Sequence, residues 1–325
     1  MIQSSILKLQ SAGLYGKLIV PRIRLCYDRH KRGGCLLAVD LVMDDQNIVM
    51  GWKYNLWFER GLRHMTEKRL IASEAQTEWI YVPDVTYHDA GVWTRRLQCI
   101  IPYRRVWTED FRYPLVVFIP GAAWQRQEMY NGLPGLSALA RRGYAVASVQ
   151  VREAALGPFP AQVEDVRRTM DFLDAHAAEF HLDMNRVVLA GDSSGGHLAL
   201  MTALMGLCHV RGVIDLYGPT DMLLSGGPMT ASMLGVDSVA AAPEKAAAAS
   251  CGTYIAPERS IPPILIAHGL SDDTVKPEHS IRLHRQLQAC GKRSSLYLVE
   301  GAGHGGAYWW SEPMLAVMDE FMSGL

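Results

Sequence analysis

The stretch Val187-Val188-Leu189-Ala190-Gly191-Asp192-Ser193-Ser194-Gly195-Gly196-His197-Leu198-Ala199-Leu200-Met201 decides how the rest of this 325-residue chain is read. Its four leading apolar residues predict a buried strand, Gly191 to Gly196 a sharp turn, and His197 to Leu207 a helix. Inside the turn lies the pattern G-x-S-x-G, from Gly191 to Gly195. Strand, turn and helix in that order lift the hydroxyl of Ser193 above the edge of a sheet, where an attacking oxygen is needed. Glycines at 191 and 195 leave space for the tight turn and for close helix–strand approach, which a Cβ would obstruct.

A serine hydroxyl is a weak nucleophile until a base takes its proton and a third group orients that base. In a strand–turn–helix setting of this kind the partners follow in the order serine, acid, histidine. The apolar run Ile264-Leu265-Ile266-Ala267 leads into His268-Gly269-Leu270-Ser271-Asp272-Asp273-Thr274-Val275, which puts an acid just past a strand. Ser295 to Val299 leads into Glu300-Gly301-Ala302-Gly303-His304-Gly305-Gly306, a histidine on a glycine-rich loop that can swing toward Ser193. Asp221, after Tyr217-Gly218-Pro219-Thr220, also follows a strand, but a turn or helix-capping role is its expected one. Of the other motif-adjacent histidines, His197 is expected to start the packed helix and His268 to bond within the strand-end turn.

These motifs resemble those of the α/β-hydrolase superfamily, esterase/lipase type, and within it feruloyl and acetyl-xylan esterases and bacterial-type kynurenine formamidases. Pro114 to Trp124, Pro158 to Val166, the run from Gly191, Ile261 to Val275 and Gly301 to Gly306 carry the likeness, which covers the chain from about residue 80 onward. By position, Ser193 resembles the nucleophile, Asp272 the acid and His304 the base. The family spacing H-G-x-x-D-x-x-V favours Asp272 over its neighbour Asp273. Oxyanion donors are expected from the amide of Ser194 and from the loop after the third strand, Pro120-Gly121-Ala122-Ala123-Trp124. The family usually has His-Gly-Gly-Gly there, so Pro120 replaces a histidine and Ala122 and Ala123 replace glycines. Their amides survive that change, although alanine resists positive φ. Asp192 and Trp124 are expected to contact substrate, while Tyr254, Tyr308 and Trp309 fit a pocket wall or packing equally well. The resemblance implies a serine esterase acting on small acyl or aryl esters through an acyl-enzyme. Amide or arylformamide hydrolysis by the same machinery is the alternative, and a non-catalytic binding protein is the rival from another class. Such a cycle needs neither metal nor organic cofactor.

Composition narrows the partners. A net charge of −1 supplies no broad field for nucleic acid or anionic membrane, and 49% hydrophobic against 20% charged residues supports a large core. Arg22, Arg24, Arg29, Lys31 and Arg32 cluster, but Asp28 interrupts them and a solvated face is expected. The six cysteines show no C-x-x-C and no metal-ligand spacing; Cys99 and Cys208 fall in apolar runs and read as buried thiols in a reduced, cytoplasmic setting. Met1-Ile2-Gln3-Ser4-Ser5 lacks the features of a signal peptide, and no run reaches the roughly 18 apolar residues of a membrane span. A small-molecule ester is therefore the expected partner.

From residue 80 onward strand-like and helical runs alternate, which predicts a mostly parallel eight-stranded sheet with helices on both faces. Ile80 to Tyr87 and Arg96 to Tyr103 read as an antiparallel opening pair. Strands follow at Leu115–Ile119, Ala145–Gln150, Val187–Ala190, Val213–Tyr217, Ile264–Ala267 and Leu296–Val299. Ala161 to Phe180 carries an apolar stripe at helical spacing, and Pro277 to Cys290 reads as a helix closed by Gly291. Residues 219–263 are too long for a plain connection and read as a cap-like insertion of short helices within a catalytic domain spanning 80–325. Residues 1–79 form an N-terminal extension, with strands expected at Lys17 to Tyr27 and Cys35 to Val42, a turn at Lys31 to Gly34 and a helix at Trp52 to Leu70. A cap, a homodimer interface and simple packing are equally open roles for it.

Overall fold

Runs such as Leu115-Val116-Val117-Phe118 are apolar at every position, so both faces of the strand they form must be covered. The computed structural model, which describes residues 36–44, 47–55, 78–91, 93–103 and 111–325, shows how. The chain divides into two units, Met1–Ala72 and Ser73–Leu325. In the first, β1 (Leu36–Asp44) and β2 (Asn47–Asn55) form an antiparallel hairpin. β1 matches the strand expected at Cys35 to Val42. The helix expected from Trp52 is corrected over its first four residues, because Trp52 to Asn55 pair with β1 instead. Residues 56–70, the strand expected at 17–27, the turn at 31–34 and the basic cluster lie outside the described residues.

The second unit contains an eight-stranded sheet. Its strands are β3 (Glu78–Asp89), β4 (Thr94–Tyr103), β5 (Tyr113–Ile119), β6 (Ala145–Val149), β7 (Leu182–Asp192), β8 (Gly212–Leu216), β9 (Ile264–Gly269) and β10 (Ser294–Val299). They lie in the order β10-β9-β8-β7-β5-β6-β4-β3. The pairings β3–β4 and β4–β6 are antiparallel and all others parallel; the sequence pattern predicts the mostly parallel sheet and the antiparallel opening pair, and the β4–β6 pairing comes from the structure. The α-helices are α1 (Leu133–Arg141), α2 (Ala161–Ala175), α3 (Ser194–Leu204), α4 (Met222–Ser225), α5 (Gly227–Leu234), α6 (Pro243–Ala248) and α7 (Glu278–Ala289) between strands, and α8 (Glu312–Ser323) after β10.

Alternate side chains of each strand serve two separate cores. Leu115, Val117, Val187, Leu189, Ile264 and Ile266 pack with Val163 and Leu173 of α2, Leu198 of α3 and Leu283 of α7. Val116, Phe118, Val188, Ala190 and Leu265 pack with Leu136 of α1 and Met314, Leu315 and Met318 of α8. Neither α1 nor α8 is apparent from the sequence pattern; tertiary burial of their Leu and Met stripes makes them helices here. α3 is buried along its whole length. α2 stops at Ala175, five residues before its expected end, and Gly291 closes α7 in a left-handed conformation at φ +69°. Among the described residues, no helix is long and apolar enough to cross a membrane.

Candidate active site

Ser193 sits between β7 and α3 at φ +52°, ψ −126°, a strained conformation for a residue with a side chain. Its amide donates to the Leu216 carbonyl at 2.8 Å, which ties the turn to β8. The neighbouring glycines are required by contact. A Cβ on Gly195 would collide with the Ile119 carbonyl, and one on Gly191 with the Gly195 backbone. The nucleophile turn is therefore seated directly on β5.

Asp272 follows β9 and is only 2% exposed. One carboxylate oxygen accepts from the amides of Thr274 and Val275, both at 2.9 Å. The other lies 2.8 Å from His304 Nδ1 and 3.3 Å from His268 Nε2. His304, on the loop after β10, points its Nε2 at Ser193 Oγ, 2.8 Å away. The structure thus brings Ser193, Asp272 and His304 together in a row, with Nδ1–H donating to the acid and Nε2 accepting from the serine hydroxyl. Asp273 points outward, its side chain 99% exposed beside Lys276. Asp221 caps α4, accepting from the amides of Leu223 and Leu224 at 3.1 Å. His268 donates from Nε2 to the Val275 carbonyl at 2.8 Å and accepts at Nδ1 from Ser280. Burial lowers its pKa, which keeps that ring uncharged beside Asp272.

The loop from Pro120 to Trp124 lies against this row. Gly121 is the one family glycine retained, and a Cβ there would meet the Asp192 carbonyl at 2.5 Å and Ser193 Cβ at 2.8 Å. Ala123 adopts the positive φ that its side chain disfavours, +49°, and Trp124 follows at +56°. Left-handed backbone costs a non-glycine residue roughly 1–2 kcal/mol. Gln127 offsets part of this by donating to the Pro120 carbonyl and accepting from the Val151 amide, both at 2.7 Å.

Three of the expected contacts are redirected. The Ala122 amide donates to Ser194 Oγ at 2.9 Å, so among the three expected oxyanion donors only the amides of Ala123 and Ser194 are left without a side-chain acceptor. Asp192 is committed to the protein: it accepts from the Gly121 amide at 2.8 Å and the Tyr217 hydroxyl at 3.3 Å. Burial raises its pKa. Trp124 is 5% exposed and its indole N–H donates to His197, which makes it a support behind the loop rather than an open pocket wall. Trp309 is fully buried, Tyr254 half-buried, and Tyr308 40% exposed.

Tyr217 is a site residue the sequence pattern does not single out. It leaves β8 at φ +46°, lays its ring edge-on against His304 with centroids 4.9 Å apart, and bonds Asp192. The only hint in the sequence is an aromatic residue immediately before Gly218-Pro219 at a strand end. Its neighbour below, Asp215, is fully buried and has its pKa raised to about 7 by desolvation.

The BD-FAE family model matches residues 106–287, more than half of the chain. The chain belongs to the BD-FAE family. Among curated relatives of this BD-FAE protein, Esterase LipC of Mycobacterium tuberculosis is 27% identical over 214 residues, covering 59% of this chain and 53% of LipC. The chain spans about half the length of the curated relatives it matches. Among solved structures, a truncated form of a carbohydrate esterase from gut microbiota superposes with a TM-score of 0.69 at 23% identity, covering 78% of this chain and 98% of that one. A bifunctional GH43-CE protein of Bacteroides eggerthii gives 0.67 at 26% identity, covering 78% of this chain and 38% of that one. The fold of this BD-FAE protein is thus the α/β-hydrolase fold.

Proposed function

We propose that this chain is a serine hydrolase that cleaves carboxylic esters of small acyl or aryl substrates through an acyl-enzyme. The observation that carries the reading is His304 held between two partners, 2.8 Å from Ser193 Oγ and 2.8 Å from Asp272 Oδ2. Ser193 Oγ attacks the ester carbonyl as its proton passes to His304 Nε2. Asp272, held by the amides of Thr274 and Val275, orients the ring and steadies the imidazolium. The oxyanion is held by the amides of Ala123 and Ser194. When the tetrahedral adduct collapses, the C–O bond of the leaving alcohol breaks and His304 returns the proton to it. Water then attacks the acyl-enzyme by the same route in reverse and releases the acid. The likeness to Esterase LipC and to the gut carbohydrate esterase supports an ester bond as the target.

In this reading residues 80–325 are the catalytic domain. Residues 219–263, which carry α4, α5 and α6, are its cap-like insertion. A reduced, cytoplasmic setting goes with it, supported by free thiols at Cys99, Cys208, Cys251 and Cys290. The test is a fluorophosphonate label together with p-nitrophenyl acetate turnover. Ser193→Ala is expected to abolish labelling and to lower kcat on the order of 10^4-fold or more. Retained labelling in that variant would remove Ser193 from the chemistry. A substrate series then compares short acyl esters, feruloyl esters, acetylated sugars and N-formylkynurenine, with the esters expected to turn over fastest.

A further inference from the structure

The oxyanion loop poses a physical problem: Ala123 and Trp124 are consecutive left-handed residues, at φ +49° and +56°, and neither is glycine. Something outside the loop must hold that conformation, since an isolated alanine avoids it. The Trp124 indole N–H donates to His197 Nδ1 at 3.0 Å, and the two rings meet edge-on with centroids 5.4 Å apart at 88°. The other ring nitrogen, Nε2, donates to the Ala249 carbonyl at 2.8 Å. Accepting at one nitrogen and donating at the other fixes a single neutral tautomer. His197 itself is fully buried and stands on α3, where its amide donates to the Ser193 carbonyl at 3.2 Å.

We propose that His197 is a positioning residue: by anchoring Trp124 to the nucleophile-bearing helix, it aims the Ala123 amide at the oxyanion. The inference rests on the serine-hydrolase reading above. Histidine suits the role because its rigid ring presents an acceptor and a donor on opposite sides. A phenylalanine or leucine at 197 would leave both the indole N–H and the Ala249 carbonyl buried without a partner. A second bond, from the Ala154 amide to the Trp124 carbonyl at 2.8 Å, fixes the loop's far end. The nucleophile and the donor facing it thereby ride on one helix, and the alanine that replaces a glycine is held in register by a side chain four residues past the serine.

The test compares Trp124→Phe, His197→Leu and His197→Gln, alone and combined with Ala123→Gly, in p-nitrophenyl acetate turnover normalised to active sites counted with a fluorophosphonate. Trp124→Phe and His197→Leu are expected to lower kcat about 10- to 100-fold, since small misplacements of reacting groups cost that much. KM should stay within about twofold, the mark of an interaction made only in the transition state. His197→Gln, which keeps an acceptor and a donor, should rescue most of the rate. Ala123→Gly, which removes the backbone strain, should shrink the loss caused by Trp124→Phe; the two changes would then be non-additive. Wild-type kcat per titrated site in Trp124→Phe and His197→Leu, with only a lower melting temperature, would overturn the positioning role while leaving the serine reading intact. Unchanged turnover in Ser193→Ala would overturn both.

Discussion

Two loops meet at the Ser193 hydroxyl, and they obtain constrained backbone in different ways. In the nucleophile turn, glycines stand wherever another backbone passes too close for a Cβ: Gly191 against Gly195, and Gly195 against the Ile119 carbonyl. In the oxyanion loop only Gly121 is kept for that reason, and the left-handed positions are filled by Ala123 and Trp124. The second loop is held by outside bonds instead, from Gln127 to Pro120 and from Trp124 to His197. Close approach is a hard constraint, because no rearrangement of a side chain relieves it. An unfavourable φ is a soft one, which a network of neighbours can offset. That difference explains how this chain departs from the His-Gly-Gly-Gly pattern in one loop while keeping G-x-S-x-G in the other.

The largest effect that would test the contrast is Gly195→Ala. Helix propensity alone favours alanine by about 1 kcal/mol. Overlap with the Ile119 carbonyl should reverse the sign and cost about 3 kcal/mol or more, read as a fall in the urea midpoint. A midpoint at or above wild type would show that the seat on β5 is looser than the distances indicate.

Acid should act next, through the soft loop. Burial holds His197 at about 4 in the folded state against 6.5 for the free group. A lowered histidine contributes stability that is complete above pH 6.5 and is lost as pH falls toward 4, here on the order of 3 kcal/mol. His279, also near 4, adds a loss of the same sign, whereas Asp215 at about 7 opposes it by favouring the folded state as pH drops. The difference between wild type and His197→Gln isolates the His197 part. Stability measured by urea unfolding from pH 7 to 4 should fall less steeply in the glutamine variant. Parallel profiles would mean that this ring does not titrate with unfolding.

The smallest effect concerns Ser194. Its hydroxyl occupies the Ala122 amide, so Ser194→Ala frees a third donor for the oxyanion. The expected result is a kcat equal to wild type or raised by up to about tenfold, below the full worth of one donor. A marked fall in kcat would show that the hydroxyl, not the amide it covers, stabilises the transition state.

Much of the architecture was legible because it rests on local pattern. The apolar runs beginning at Leu115, Val187 and Ile264 are unbroken, which marks strands buried on both faces, and each is a strand of the parallel part of the sheet. Helices α1 and α8 were not legible. The apolar stripe of each takes meaning only from the sheet face it covers. Trp52 to Asn55 went the same way: local preference allowed a helix, and pairing with Leu36 to Val39 made a strand. At the site, chain order and loop context pointed to Ser193, Asp272 and His304, which follow β7, β9 and β10. Tyr217 carried no pattern of its own, and no local signal shows that Asp192 bonds Gly121 and Tyr217 or that Trp124 bonds His197.

By itself the sequence determined the periodicity of the strands, the positions where glycine is indispensable, and the order in which a nucleophile, an acid and a base emerge from the sheet. These follow from steric rules that act over a few residues. Only the tertiary structure decided which amides remain available to a developing charge and which polar side chains are already spent on the protein. Hydrogen-bond partners such as Trp124 and His197 lie 73 residues apart, and nothing local to either residue encodes the other.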